Sequence, residues 1–486
     1  MHRFPLLLIF AALLAAQQPD FSITGAADDQ VFQRGVDGQA AIALAGNARG
    51  MNGRAVEWRV LGRNGELAGA GWKTCGKVAG ERWQCQVTAS TGGPYRVEAR
   101  IAGSAVTAAV NGVLVGDLWV LAGQSNMEGV GDLVNVEPPN GLVHSFDMTD
   151  RWVLAEEPLH TLASAVDPVH WRPNENKVRE RYQGERLEKF VAARRKGAGL
   201  GLPFAVEMVR RTGVPVGLLP CAHGGTSMDQ WSPDLRDKGG ESLYGSTIRR
   251  VKAAGGKVTG ILWYQGESDA NPKAAPLFRE KFERLVAAFR SDIGQPDLPF
   301  YYVQIGRHVN NANVNEWNHV QEMQRQGETT IPRSGMVTAV DLTLDDGIHV
   351  GVKDLKLLGR RMANLACHDL FAGVPECSWL KPGPRPAAVQ ISGNTIRIAF
   401  TGVNGKLTSE GRIAGFTIHD AGGNAVPGFF RAEVDPNDAT VIRLHTQGNL
   451  PEGASLRYGA GKDPYCNVRD EAGMALPVFG PVPITK

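Results

Sequence analysis

Five short apolar runs, separated by helical patterns, most strongly constrain the fold of the middle of this chain. The runs cover residues 113–122, 214–219, 258–264, 300–305 and 336–342. The clearest helix between them has five apolar side chains on one face, namely Phe278, Phe282, Leu285, Val286 and Phe289. Strands that alternate with helices pair in parallel and are covered on both faces. The sequence therefore predicts an α/β domain, built on a parallel sheet flanked by helices, over residues 113–380.

Both flanks of this domain have the short alternating segments and Gly-rich turns that are typical of β structure. Segments 40–44, 56–60, 83–87 and 95–101 predict a β-sandwich domain over residues 19–112. Segments 389–391, 396–400, 416–419 and 441–444 predict β structure over residues 381–486. Two arrangements fit this last region: a third β domain, or strands that pack on the first one.

The N-terminus has the pattern of an export signal. His2 and Arg3 precede an apolar run over residues 4–16, which is too short to span a bilayer, and polar residues 17–20 follow. We predict a signal peptide over residues 1–18 and a secreted or periplasmic protein; a buried strand and a membrane anchor are the alternatives. The rest of the sequence has no apolar stretch of spanning length, which predicts no stable membrane insertion.

Six cysteines in an exported chain can form disulfides. Cys75 and Cys85 flank a predicted hairpin, and we expect them to pair. Cys367 and Cys377 have the same spacing, and the sequence assigns no partner to Cys221 or Cys466. The sequence has neither C-x-x-C nor H-E-x-x-H, so it predicts no metal site. A formal net charge of only +2 gives no reason to expect a nucleic-acid partner.

Polar blocks follow three of the apolar runs directly. Functional side chains of parallel sheets lie at this position, just after the C-terminal ends of the strands. Ser125 comes after a Gly at the end of the first run, at the start of the next helix, where a nucleophile or a helix cap belongs. Gly224 and Gly225 follow the second run, and Gln265-Gly266-Glu267-Ser268 follows the third. Paired glycines let a backbone N–H point into a site; each block alone also fits an ordinary turn.

A fourth block, Asp345-Asp346-Gly347-Ile348-His349, follows the last run. An Asp three residues before a His can hold one imidazole nitrogen, so that the other nitrogen takes a proton from a Ser hydroxyl. We predict that Ser125 is the nucleophile, His349 the base and Asp346 its orienting carboxylate. Asp345 is the alternative carboxylate, although its spacing fits less well. Four blocks at the ends of one parallel sheet favour a common site over coincidence.

Together the four blocks resemble the SGNH-hydrolase superfamily, and more closely the sialate O-acetylesterase family of carbohydrate esterases. The nucleophile block 123–127, the Gly block with Trp231, the block 265–268 and the acid–base block 346–349 carry the resemblance. Lys353 and the run 359–361 extend it, as do segments in both β regions. The resemblance implies an SGNH-type, flavodoxin-like catalytic domain with accessory β regions at both ends. It also implies a cofactor-free serine esterase that removes O-acetyl groups from sugars.

The resemblance also implies site roles for several residues. Backbone N–H groups of Ser125 and Gly224 would stabilise the oxyanion, together with the side chain of Gln265. The wider superfamily has an Asn where this chain has Ser268, so Ser268 is the alternative to Gln265. Trp231 could contact the sugar ring or lie in the core.

The substrate predicted first is O-acetylated sialic acid; oligomeric state is not predicted. A basic run over residues 177–196 could favour an acidic sugar, although such a run is usually a solvated helix face. The alternatives are an acetyl esterase of plant polysaccharides such as xylan, with the same fold, and a non-catalytic carbohydrate-binding protein.

Overall fold

The computed structural model describes residues 21–486 except 70, 106, 175 and 311. These residues form two compact units. The first is Met1–Ala27 (described from Phe21), Ala41–Ala89 and Tyr95–Asn111, and the second is Asp28–Ala40, Ser90–Pro94 and Gly112–Lys486. The predicted signal peptide lies outside the described residues, and the predicted domain boundaries stay predictions.

The first unit consists of antiparallel β structure. The strands of this part of the chain are Gln39–Asn47, Ala55–Leu61, Lys73–Lys77, Arg82–Ser90 and Gly92–Ile101. The strand Ala55–Leu61 pairs with both Lys73–Lys77 and Gly92–Ile101. Alternate residues such as Ile42, Leu44 and Val87 are buried, which confirms the period-two pattern in the sequence.

A disulfide between Cys75 and Cys85 confirms the pairing predicted from the sequence, with Cα atoms 5.4 Å apart. A tight turn in which Ala79 and Arg82 exchange backbone hydrogen bonds separates the two cysteines. The strands that carry them belong to different sheets, so the bond joins two sheets rather than two paired strands. The other four cysteines, Cys221, Cys367, Cys377 and Cys466, are free and buried.

The second unit contains the predicted parallel sheet. Its strands are β1 Thr107–Gly123, β2 Val143–Phe146, β3 Trp152–Leu154, β4 Val216–Pro220, β5 Gly260–Tyr264, β6 Phe300–Gln304 and β7 Ser334–Thr338. Their order is β3-β2-β4-β1-β5-β6-β7, and all pairs are parallel except β3 with β2. Strands β4-β1-β5-β6-β7 have the flavodoxin-like order, which changes direction at β1. The residue after β1 is therefore well placed for a site.

Nearly every residue of the central strands is buried, because helices cover both faces of the sheet. The helices are α1 Ser125–Glu128, α2 Gly184–Ala193, α3 Gly201–Thr212, α4 Leu243–Ala253, α5 Phe278–Ile293, α6 Val314–Thr330, α7 Val352–Leu370 and α8 Pro375–Ser378. Helices α3 and α7 pack on each other, and α4, α5 and α6 form a second group. Within the described part of the chain, every helix is too short or too polar to cross a bilayer.

Short elements complete the second unit. The strand Val31–Gln33 pairs in parallel with β1. Two small antiparallel pairs join Gly131–Asp132 to Lys196–Ala198 and Arg172–Pro173 to Arg179–Glu180. Single turns of 3-10 helix occur at Leu162–Ser164, Pro168–His170, Glu267–Asp269 and Ala275–Leu277, with a longer segment at Pro233–Glu241.

The C-terminal region consists of antiparallel β structure and belongs to the same compact unit as the parallel sheet. One four-stranded sheet contains Arg385–Ser392, Thr395–Thr401, Asp438–His445 and Arg431–Asp435; the other contains Ala425–Val426, Phe416–His419, Ser455–Tyr458 and Phe479–Pro483. A further pair joins Leu407–Ser409 to Val468–Asp470. Buried side chains of both sheets, among them Ile398 and Leu456, share one core. A buried Asp341 between Arg361 and Arg469 links this region to the end of the parallel sheet.

Candidate active site

Ser125 lies at a sharp turn directly after the central strand. Strand β1 ends at Gly123, whose φ of +132° and contact with Tyr264 O leave no room for a Cβ. Gln124 is the N-cap of α1, and Ser125 is the first helical residue, with a partly exposed side chain. Backbone N–H groups of a first helical turn have no intrahelical acceptor. The local geometry therefore fits a nucleophile whose own N–H is available to a substrate.

His349 and Asp346 form the predicted pair on the loop after β7. Asp346 Oδ2 lies 2.7 Å from His349 Nδ1, and Asp346 Oδ1 accepts the N–H groups of Ile348 and His349, each at 2.9 Å. Burial raises the pKa of Asp346, but these hydrogen bonds outweigh it and lower the pKa to about 2. An ionised Asp346 fixes the proton of His349 on Nδ1 and leaves Nε2 free as a base.

Asp345, the alternative carboxylate, is directed elsewhere. Its Oδ2 accepts the backbone N–H of Asp132 at 3.3 Å, in the short strand Gly131–Asp132. Asp345 contacts His349 through its backbone, because its N–H donates to His349 O at 2.8 Å. The geometry therefore favours Asp346 as the residue that orients the imidazole.

Asn126, next to Ser125, joins three of the four blocks. Its buried side chain donates to Glu267 Oε1 at 3.0 Å and accepts the N–H of Val350 at 3.0 Å. The loop that carries His349 is thus held against the turn that carries Ser125. Among the described residues no hydrogen bond joins Ser125 Oγ to His349, and proton transfer requires these groups to approach to about 3 Å. The sequence analysis gave Asn126 no role.

Gly224 packs against Ser125, but its N–H already has a partner. A Cβ on Gly224 would lie 3.0 Å from Glu128 Oε2 and 3.3 Å from Ser125 Cβ, so a larger residue there would require its neighbours to shift. The Gly224 N–H donates to Glu128 Oε2 at 2.7 Å. Burial raises the pKa of Glu128, although this hydrogen bond and nearby arginines oppose the shift. Glu128 is a residue of the site that the sequence analysis missed.

The side chain of Gln265 is not available as an oxyanion donor, contrary to the expectation from the sequence. Its side chain is fully buried, and its amide N donates to Thr226 O at 3.1 Å and to Asp269 Oδ2 at 2.5 Å. These acceptors occupy the amide N–H groups, so Gln265 is not aimed at a substrate. Ser268, the alternative, is partly exposed, and its Oγ lies 3.2 Å from the Gln124 side-chain amide, which donates to it in the amide orientation that gives both Gln124 atoms partners.

The model of one protein family, described as carbohydrate esterase, sialic acid-specific acetylesterase, matches residues 115–368. This match covers about half of the chain and contains all four blocks of the site. The chain belongs to this family. It is therefore a carbohydrate esterase, a carboxylic ester hydrolase.

Two relatives agree with this assignment, and one solved structure shares the fold. A probable carbohydrate esterase of Arabidopsis thaliana is 28% identical over 210 residues, 39% of this chain and 68% of that protein. Human sialate O-acetylesterase is 24% identical over 288 residues, 52% of this chain, and the match spans only 53% of the human enzyme. A carbohydrate acetylesterase from Xanthomonas citri shares the fold, with a TM-score of 0.62, 21% identity and coverage of 93% of this chain and 97% of that one.

Trp231 lies in the core of the esterase, so the expectation that it contacts the sugar is wrong. Its side chain has 0% exposure and packs edge-on against Trp263, with ring centroids 5.1 Å apart. The indole N–H donates to Thr226 Oγ1 at 2.9 Å. Trp231 therefore packs on the core side of the turn that contains Gly224 and stabilises it.

The basic residues of the run 177–196 differ in their surroundings. Helix α2 has no buried residue and is the solvated face that such a run usually forms. Arg194, one residue after the helix, is instead partly buried and donates to His160 O and Lys196 O. Arg179 lines a cavity beside the Gly block; its other lining residues include His223, Thr226, Gln230 and Lys238.

Proposed function

We propose that this carbohydrate esterase removes O-acetyl groups from a carboxylated sugar, O-acetylated sialic acid above all, through an acetyl-Ser125 intermediate. The observation that carries the proposal is the pair of Asp346 and His349 on a loop that Asn126 ties to the turn bearing Ser125. These residue types, in this arrangement, suffice for acyl transfer without a metal or an organic cofactor.

In the proposed first step His349 Nε2 takes the Ser125 proton while Oγ forms a bond to the acetyl carbonyl carbon. The tetrahedral intermediate collapses when the bond to the sugar oxygen breaks and His349 gives that oxygen its proton. Water then attacks the acetyl-serine, His349 takes the proton of the water, and acetate leaves as the proton returns to Ser125 Oγ. Asp346 stabilises the imidazolium in both steps, because its carboxylate is ionised and bonded to Nδ1.

The oxyanion of the intermediate would accept from the backbone N–H groups of Ser125 and Gly224. One such donor contributes roughly 3 kcal/mol to stabilisation of the transition state. Since the Gly224 N–H donates to Glu128, it has to exchange that carboxylate for the oxyanion. Burial raises the pKa of Glu128 and so works against the charged form of this acceptor, which supports the exchange.

The cavity beside Gly224 supports a carboxylated substrate. Arg179 and Lys238 line it, with Glu241 as an opposing charge, and the positive charge of Arg172 acts on nearby His223. An Arg side chain binds a carboxylate with paired hydrogen bonds. A human relative that is a sialate O-acetylesterase agrees with this substrate. The second candidate is a neutral acetylated polysaccharide such as xylan, which would gain little from these cations.

Release of acetate from both substrates tests the proposal. We expect faster hydrolysis of O-acetylated sialic acid than of acetylated xylan fragments, and a loss of activity of about 10³-fold or more in Ser125→Ala. Efficient cleavage of xylan fragments with no activity on the sialic acid would overturn the substrate assignment alone. Near-normal turnover by folded Ser125→Ala would overturn the mechanism.

Arg179→Gln tests the role of charge in the cavity. We expect KM for O-acetylated sialic acid to rise about tenfold, because a charge-assisted hydrogen bond to the carboxylate is lost. KM for the xylan fragments should change much less. Arg195→Gln is the matched control, because it removes the same charge from an exposed residue of the same basic run.

We also propose that the protein is exported, with residues 1–18 as the signal peptide. The disulfide between Cys75 and Cys85 supports an oxidising compartment. N-terminal sequencing of protein recovered outside the cytoplasm should begin near residue 19, and an intact Met1 on the exported protein would contradict this.

A further inference from the structure

A chain of buried polar side chains ends at the Gly block. His170 Nδ1 lies 3.2 Å from His223 Nδ1, with the two rings stacked at a centroid distance of 5.3 Å. His170 Nε2 lies 3.4 Å from Ser246 Oγ, which in turn lies 2.6 Å from Asp167 Oδ2. His170, Ser246 and Asp167 are buried, and His223 lines the cavity that also contains Arg179. The catalytic mechanism uses none of these four residues.

The direction of the hydrogen bonds in this chain follows from its buried end. Asp167 is paired with Arg249 and can only accept, so the Ser246 hydroxyl donates to it. Ser246 Oγ must then accept from His170 Nε2–H, which leaves His170 Nδ1 without a proton. His170 Nδ1 can therefore only accept, and His223 must donate its Nδ1–H.

The same hydrogen bonds determine whether the other ring nitrogen of His223, Nε2, carries a proton. Burial, with the positive charges of Arg179 and Arg172, lowers the pKa of His223 to about 4. Burial also lowers the pKa of His170 well below its ordinary value, so both rings are neutral near pH 7. A neutral ring has one N–H, and in His223 it is on Nδ1. Its Nε2 is therefore a lone-pair acceptor on a residue that lines the cavity.

We infer that His223 Nε2 is a specificity-determining acceptor for a donor group of the leaving sugar, a hydroxyl or amide N–H next to the acetylated oxygen. The position supports this role, because the next residue, Gly224, packs against Ser125. His223 would accept a hydrogen bond from the sugar in the same cavity in which Arg179 and Lys238 attract a carboxylate. A site that accepts a hydrogen bond discriminates strongly against analogues that lack the donor. This inference rests on the proposed function of Ser125.

The tautomer of His223 can be measured without any substrate. In protein labelled with ¹⁵N-histidine, two-bond proton–nitrogen correlations separate a protonated from an unprotonated ring nitrogen, and His223→Gln identifies the His223 signals. We expect a neutral His223 with the proton on Nδ1, the less common tautomer of free histidine. In Ser246→Ala the His170 ring loses its acceptor at Nε2, and the His223 preference for Nδ1–H should weaken. A proton on Nε2 of wild-type His223 would overturn the inference.

Kinetics with two substrates test recognition. We compare O-acetylated sialic acid with a simple aryl acetate, whose leaving group has no sugar donor. In His223→Leu we expect the ratio of kcat/KM for the sugar over the aryl ester to fall about 10- to 100-fold, as expected for one lost hydrogen bond. His223→Gln, whose carbonyl can accept, should recover part of the ratio. His319→Leu, at an exposed histidine of α6, is the matched control and should keep the wild-type ratio.

The outcomes separate this inference from the proposed function. An unchanged ratio in folded His223→Leu, with Ser125→Ala inactive, overturns the role of His223 and leaves the esterase mechanism in place. Activity of Ser125→Ala on the aryl ester overturns the mechanism itself. If His223→Leu does not fold, the tautomer measurement on the wild-type protein still decides the inference.

Discussion

Replacement of Asp346 by Asn probes the catalytic pair with a minimal change in shape. The Asn oxygen can still accept the N–H groups of Ile348 and His349, so the loop should keep its conformation. The Asn amide N–H₂ would instead face His349 Nδ1 over 2.7 Å, where two donors cannot meet. The imidazole then moves its proton to Nε2, and the base that should receive the Ser125 proton is lost.

The expected loss in kcat has two parts. Asp346 faces the imidazolium directly, but its side chain is 42% exposed, so solvent screening limits the lost Coulomb attraction to about 2 kcal/mol. The unfavourable tautomer costs a further 1–2 kcal/mol, roughly the net contribution of a hydrogen bond to a charged group. A total of about 3–4 kcal/mol lowers kcat by about 10²- to 10³-fold.

Steady-state hydrolysis of an aryl acetate measures this loss, and thermal unfolding checks that the variant is folded. The matched control is Asp345→Asn, because Asp345 precedes Asp346 in sequence and its carboxylate binds only the Asp132 N–H among the described residues. We expect the control to stay within about threefold of the wild-type kcat. An Asp345→Asn variant as inactive as Asp346→Asn, or an Asp346→Asn variant near the wild-type rate, would refute the reasoning.

Three further predictions concern stability. Burial raises the pKa of Glu157 to about 7, so the wild-type free energy of unfolding, relative to Glu157→Gln, should fall by about 2–3 kcal/mol as pH rises from 4.5 to 7.5; pH-dependent urea unfolding with no such difference would contradict this. Replacement of Cys75 and Cys85 by Ser should lower the free energy of unfolding by about 2–3 kcal/mol in urea titrations, because it releases a closed loop in the unfolded chain; an unchanged midpoint would count against it. Trp231→Phe removes the hydrogen bond to Thr226 and should cost about 1–2 kcal/mol while KM for sugar esters stays within twofold; a large rise in KM would restore the sugar-binding role.

The sheet and the grouping of the candidate catalytic residues were predictable because their signals are local and repeated. Apolar runs separated by helical patterns confirm the parallel sheet, and each polar block follows a strand end. Because parallel strands end at one edge of a sheet, Ser125 and His349 could be assigned to one site although 224 residues separate the loops that Asn126 joins. The Asp-x-x-His spacing favoured Asp346 over Asp345, as the hydrogen bonds do.

The direction of buried side chains could not be predicted in the same way. Gln265 is turned inward because Asp269, four residues later, accepts its amide N–H, and nothing in the motif reports that bond. Trp231 is core because Trp263 and Thr226 lie against it after folding. The contact of Glu128 with Gly224 joins residues 96 positions apart, so only the folded chain reveals it. Long-range contacts of this kind decide which polar groups remain for a substrate.

Detection of the acetyl-enzyme tests the central claim most directly. A rapid acid quench of the enzyme with excess aryl acetate, followed by proteolysis and mass spectrometry, should find one acetyl group on the peptide that contains Ser125. Asp346→Asn impairs His349 as the base, so hydrolysis of the acetyl-enzyme should be slower. Ser125→Ala removes the hydroxyl to which the acetyl group would be attached. We predict acetylation at Ser125 in the wild-type and Asp346→Asn proteins and none in Ser125→Ala. An acetyl group on another residue, with Ser125 unmodified during turnover, would contradict the account.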